Sequence, residues 1–161
     1  MQIPVVVGRY LVSRPWAVGF AAFVTIVVLG ILGEVLSWTR VPLSPFSNIA
    51  GAALLVGGLV LHGQCHKVHR QAHESSQVIQ HIVTTGLFGS VRHPMYTSLM
   101  LMYVGLALVW GIVWMLVPAL VFSVATVLAA REEEEYLLNA FGPEYDAYMQ
   151  TVRWRFIPRL F

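Results

Sequence analysis

Long apolar stretches alternate with short polar ones along this chain. From Trp16 to Gly33 the residues are apolar or small apart from Thr25, enough helix to cross roughly 27 Å at about 1.5 Å per residue. Trp16 and Trp38 flank the run as interfacial anchors, so it reads as a retained first span rather than a cleaved leader. Val41-Pro-Leu-Ser-Pro45 predicts a turn, because prolines remove helix donors. A second span begins at Phe46, and its Gly51, Gly57 and Gly58 offer a surface for close helix packing or self-association. From Thr97 to Ala130 the chain has 34 residues without a charge, roughly 51 Å of helix against a hydrocarbon core of about 30 Å. It must reverse inside that stretch, and Trp110-Gly111-Ile-Val-Trp114 is the expected turn, with Pro118 in the first turns of the returning helix.

The pattern predicts an all-α integral membrane protein forming a single domain, 1–161. Four transmembrane helices are expected at about 16–37, 46–63, 95–111 and 113–131, followed by a C-terminal helical cap, 132–161, over a buried small-molecule site. Within the cap, Phe141-Gly142-Pro143 should separate two short helices between Tyr136 and Val152. Leu137, Leu138, Phe141, Tyr145, Tyr148 and Val152 would cover the site, most of them as packing.

Composition agrees: 57% of the 161 residues are hydrophobic and only 11% charged, outside the range of soluble domains. Nine of the ten Lys and Arg residues, all but Arg40, fall on one side of this arrangement. The positive-inside rule then makes both termini and the loop from His62 to His93 cytosolic. A net charge of +2 argues for no nucleic-acid partner, and the single Cys65 excludes an internal disulfide.

The chemistry is concentrated on that cytosolic side, in three clusters. His62, His66, His69 and His73 fall on one helical face; such a face can hold a metal, sit among headgroups, or meet an anionic ligand. Gly86-Leu-Phe-Gly-Ser-Val-Arg92-His93-Pro94-Met-Tyr96 places two donors where a helix starts, with Pro94 at its first position. Arg92 suits either an interfacial anchor or a ligand contact. Arg131-Glu-Glu-Glu-Glu135 follows the fourth span; since successive helical residues differ by about 100°, at least one carboxylate must turn toward the bundle. An ionised acid there can accept two hydrogen bonds from a ribose diol or bind a cation.

In this order, His81-Ile-Val-Thr-Thr-Gly86, Arg92-His93-Pro94-Met-Tyr96, an apolar hairpin, the acidic run, Phe141-Gly142-Pro-Glu-Tyr145-Asp-Ala-Tyr148, Val152 and Pro158 resemble the isoprenylcysteine carboxyl methyltransferase family. They are similar, more distantly, to the phospholipid N-methyltransferases. The resemblance covers Gln80 to Pro158; the first two spans match only as generic membrane helices. It implies an S-adenosylmethionine site at the cytosolic surface lined by Gln80, His81, Ile82, Val83, Gly86, Phe88, His93, Pro94, Tyr96, Glu133 and Glu134, with no metal. Many relatives carry an arginine where this chain has Ala129, and Arg131 is the nearest substitute. Arg131 or Arg92 would therefore orient the acceptor, a lipophilic small molecule or prenylated substrate among membrane lipids.

A carboxylate acceptor needs no general base, so alignment and exclusion of water should dominate. A phospholipid amine or a thiol would need one, with His93 or the histidine face as candidates. Two other readings compete: an NADPH-dependent membrane reductase, whose relatives usually place Asn after the Arg-His-Pro step and Trp at the position of Tyr145, and a non-enzymatic metal-binding protein organised by the histidine face. Oligomeric state is left open.

Overall fold

A computed structural model describes residues 15–68 and 81–160. Among these residues five α-helices follow one another: α1, Pro15–Val35; α2, Phe46–Val68; α3, Pro94–Trp110; α4, Leu116–Phe141; and α5, Pro143–Thr151. Single 3-10 turns at Gly86–Gly89 and Val113–Met115 precede α3 and α4. Three stretches, Ala17–Val35, Phe46–Val68 and Val113–Phe141, are long and apolar enough to cross a membrane, and α3 is a shorter apolar helix. Gln80, His69 and His73 lie outside the described residues.

α3 is central. It packs most intimately on α2 and also meets α1 and α4. The α2–α3 contact is close because both helices present glycine: a Cβ on Gly105 would stand 2.5 Å from the Leu55 nitrogen, and one on Gly51 2.6 Å from the Val109 nitrogen. Of the three glycines expected to allow close helix packing, Gly51 and Gly58 do so inside the chain, against α3, while Gly57 meets nothing within 4 Å. On the other flank of α3, Ala22 and Ile26 of α1 join Tyr103, Ala107, Ile112, Met115 and Ala119 in a buried core. Large apolar side chains also cover the outside, among them Phe20, Val28 and Ile31 of α1, Val56 and Leu59 of α2, and Leu120 and Val124 of α4. That outward apolar coat suits lipid rather than water.

The hairpin between α3 and α4 turns where the aromatic-flanked glycine predicts it. Gly111 adopts φ 78°, a left-handed conformation that ends α3, and its N–H reaches the Ala107 carbonyl. The loop after α1 pairs with this turn through Val41 N to Gly111 O (2.8 Å) and Val113 N to Thr39 O (3.0 Å). Arg40 closes that end of the bundle by binding Glu34 at 2.6 Å and the Trp110 carbonyl at 3.2 Å.

One element differs from expectation. The stretch from Tyr136 to Phe141, expected as a separate short helix of the cap, is instead the end of α4, which continues unbroken through Arg131 and Glu135 to Phe141. Residues 131–140 are mostly Glu, Leu, Ala and Arg, strong helix formers, and the first residue that breaks the pattern is Gly142 at φ 54°. The charged end of α4 thus projects rigidly beyond the apolar part of the helix. α5 opens on Pro143, and Tyr145, Tyr148 and Val152 pack on Leu137, with Ile82, Phe141 and Met149 around them.

Candidate active site

The site forms where the start of α3, the charged end of α4 and the segment after α5 converge. Pro94 occupies the first turn of α3, where its missing donor costs nothing, and His93 is the residue before it. The backbone just ahead of α3 is held in strand-like fashion: Arg92 N bonds to Trp154 O and His93 N to Arg155 O, both at 2.8 Å. Thr97 adds a hydroxyl bond to the Phe156 carbonyl at 3.0 Å. These bonds bring residues 92–93 and 154–155, about sixty positions apart, beside Glu134.

Glu134 is the hub. Its Oε1 accepts from Arg92 Nε at 2.7 Å and from His93 Nε2 at 3.1 Å, and its Oε2 accepts from Arg155 Nε at 2.8 Å. An ionised carboxylate only accepts, so the His93 proton in this contact sits on Nε2. Burial would raise the Glu134 carboxyl, but hydrogen bonds from His93 and Arg92, the electrostatic influence of His93 and the bond from Arg155 outweigh it and hold it down to about 2. Arg92 completes its buried geometry with Nη1 on the Val152 carbonyl at 2.7 Å.

The neighbouring Glu133 turns to a different side of α4. Its carboxylate stands 3.8 Å from His93 Nδ1 and is hydrogen-bonded with the Tyr96 hydroxyl. The His93 ring stacks on Tyr96 with centroids 5.5 Å apart and lies 5.9 Å from Phe156. Glu133 is therefore an acid set among aromatic rings. Farther along the wall, buried Phe88 offers its carbonyl to the Tyr148 hydroxyl at 2.8 Å. Burial, chiefly, pushes that hydroxyl up to about 12, so it remains a donor at every physiological pH. Gly86 turns the chain at φ 62°, Ile82 packs against the cap, and His81 is exposed.

A groove of about 380 Å³ opens between α4 and the segment around α5, lined by Arg131, Glu134, Glu135, Leu138, Met149 and Arg155. Arg131, Glu135 and Leu138 line up with Glu134 because spacings of three, four and seven fall on one helical face. Arg131 is exposed and has no ion pair or hydrogen bond among the described residues.

The structure thus gathers His93, Pro94, Tyr96, Glu133 and Glu134 at one end of the bundle, with Phe88, Ile82 and Gly86 on its margin. Two of the expected site residues are engaged by the protein itself. Arg92 is buried between Glu134 and the Val152 carbonyl. Glu134 meets three protein donors, which leaves little of its carboxylate for a ribose diol. Arg155 was missed by sequence reasoning, where it counted only as a cytosolic-side charge. Its signal is weak: alternation across Trp154, Arg155 and Phe156 hints at an extended segment with one inward face, but nothing local pairs it with Glu134. In the histidine face, His62 Nδ1 lies 2.8 Å from Ser98 Oγ, and the rings of His62 and His66 meet edge to face at 5.0 Å. Among the described residues no group of three or more His, Cys, Asp or Glu side chains is arranged to hold a metal.

No curated protein matches the chain. A family model described as phospholipid methyltransferase matches residues 46–144, from the first residue of α2 to the opening of α5. The match thus takes in the second span, which the sequence resemblance left as a generic helix, and stops before Arg155. It answers to the more distant of the two resemblances, within a superfamily that also contains the isoprenylcysteine enzymes. With more than half of the chain matched, including the Arg-His-Pro step and both central carboxylates, this multi-pass membrane protein belongs to the phospholipid methyltransferase family.

Proposed function

We propose that this S-adenosylmethionine-dependent membrane methyltransferase methylates the carboxylate of a lipophilic acceptor, such as a prenylated cysteine or an analogue, at the cytosolic face. Dependence on S-adenosylmethionine is a property of the matched family. The chain's own residues fit such a group: Glu133 has a partly exposed carboxylate beside Tyr96 and His93, whose rings stack on one another, and a carboxylate next to aromatic rings suits a sulfonium cation. Glu133, Tyr96 and the loop 81–88 would hold the cofactor, with Arg131 orienting the acceptor. When bound, S-adenosylmethionine supplies an electrophilic methyl group on a positively charged sulfur.

The observation that carries the acceptor class is the chemistry of the groove. Among its lining residues, Arg131 and Arg155 are cations, Glu134 is committed to three donors, and no histidine is present. An alkylammonium acceptor must lose a proton before it can attack, and an exposed carboxylate such as Glu135 is a poor base for that step. A carboxylate arrives ionised, so the protein needs only to align it and exclude water. The matched family's description favours a second reading, a phospholipid amine as acceptor. The NADPH reductase reading draws no support from that family.

In the proposed topology α3 is a fourth, short span, and both termini share the cytosolic side with the site. Reporter fusions at Trp114 and at the two termini test it: fusions on the same side would sink the four-span arrangement. The acceptor is tested by transfer of a radiolabelled methyl group from S-adenosylmethionine into lipids carrying either a free carboxylate or an ethanolamine head. Label released as methanol by mild base marks a methyl ester and supports the carboxylate. Base-stable label in the ethanolamine lipid would replace it with the amine.

A further inference from the structure

We infer that the groove between α4 and the C-terminal segment is a two-arginine site for the anionic oxygen group of a lipophilic molecule, in which Arg155 is the second arginine and Glu134 the residue that positions it. This rests on the proposed reading of the groove as the acceptor's side of the enzyme.

The two arginines arrive by different routes. Arg131 stands on the helical face of α4 that also carries Glu135 and Leu138, without a partner among the described residues. Arg155 comes from the segment after α5, and its Nε is fixed on Glu134 Oε2 at 2.8 Å. A guanidinium held through Nε retains its Nη donors, and those of Arg155 make no hydrogen bond among the described residues. Its side chain is one-third exposed, open on the groove. The charge of Glu134 is already opposed by buried Arg92 at 2.7 Å, so it does not cancel Arg155 as well. Two guanidinium groups therefore face the groove with donors unmet, a donor set that matches carboxylate or phosphate oxygens. Leu138 and Met149 beside them provide apolar contact for a chain attached to that anion. Glu135 is the opposing charge in the lining and weakens an anion's hold without blocking it.

A carboxylate on a lipid acid and the phosphate of a phospholipid present the same oxygen chemistry here. The test uses purified full-length protein in neutral detergent without cofactor, with binding of dodecanoate, dodecyl phosphate and dodecyltrimethylammonium read by native mass spectrometry. One anionic molecule per chain is expected, with no comparable uptake of the ammonium probe. Preference for dodecanoate identifies a lipid acid as the source, and preference for dodecyl phosphate a phospholipid head. Arg131→Gln, on an exposed and unpaired side chain, should weaken the anion at least about tenfold, the size of one charge-assisted contact. Arg155→Lys keeps the charge but loses the planar fork and should weaken it several-fold at unchanged melting temperature. Glu135→Gln should tighten it. Equal binding of anions by wild type and both arginine variants, or equal uptake of the ammonium probe, overturns the site.

Methyl transfer separates this inference from the reading beneath it. Should the groove bind anions as described while no acceptor is methylated, the reading of the groove fails and the anion site stands. Should transfer proceed with acceptor KM unmoved by Arg131→Gln and Arg155→Lys, the two-arginine site fails and the methyltransferase remains.

Discussion

The two ends of this helix bundle are each closed by an arginine on a glutamate at nearly the same distance, and the two pairs do different work. Arg40 and Glu34 meet at 2.6 Å with side chains 58% and 43% exposed. Arg92 and Glu134 meet at 2.7 Å with both side chains 7% exposed. In water the first pair gains little, because solvent screens it and two long side chains lose freedom to hold one geometry. At the second, each charge has left water and depends on its partners, so removing one strands the others. Distance is therefore a poor guide to consequence, and burial is the better one. The exposed pair trims a loop, whereas the buried cluster ties together three separate parts of the chain at the candidate site.

The strongest way to break this comparison is Glu134→Gln. It removes the charge that Arg92, His93 and Arg155 share, and it should cost about 3 kcal/mol or more of stability, read by denaturation in detergent, along with nearly all methyl transfer. A loss as small as that of a surface mutant would mean that the cluster does not hold these segments together. The acid side of the stability profile sharpens the same point. A carboxyl held at about 2 against an ordinary 4.5 adds stability above pH 4.5 and loses it as pH falls toward 2. Wild type and Glu134→Gln should therefore converge in stability across that window, and curves that stay parallel there would contradict the shift. Next in size is Tyr148→Phe, which deletes the buried hydroxyl bond to the Phe88 carbonyl, for about 1 kcal/mol. The smallest effect is expected at the opposite end. Arg40→Ala should cost less than about 1 kcal/mol and leave methyl transfer unchanged; a loss like that of Glu134→Gln would erase the distinction between the two ends.

Much of the frame is legible in the sequence alone. The apolar runs, the proline-marked start of α3, the reversal at Gly111 and the stop at Gly142 all follow from residues acting within a few positions of themselves. Helix rotation alone required one of four consecutive carboxylates to turn inward. It left undetermined which one, and the split of Glu133 toward Tyr96 from Glu134 toward Arg155 is a matter of how α4 rotates against its neighbours. The uninterrupted α4 was readable in hindsight, since nothing between Arg131 and Ala140 opposes a helix. The role of Gly51 and Gly58 was not, because a small residue signals close approach without naming the partner helix.

Local chemistry thus settled the membrane class, the helices and the residue types available for catalysis: hydropathy, proline and glycine act over a few residues and leave their mark in the order of the chain. Tertiary structure alone decided that Arg92 is buried between Glu134 and Val152, that Arg155 meets Glu134 and that Glu134 is occupied by the protein itself. Those outcomes depend on backbone pairing between residues some sixty positions apart and on removal of charges from water, and neither is written in any local stretch of sequence.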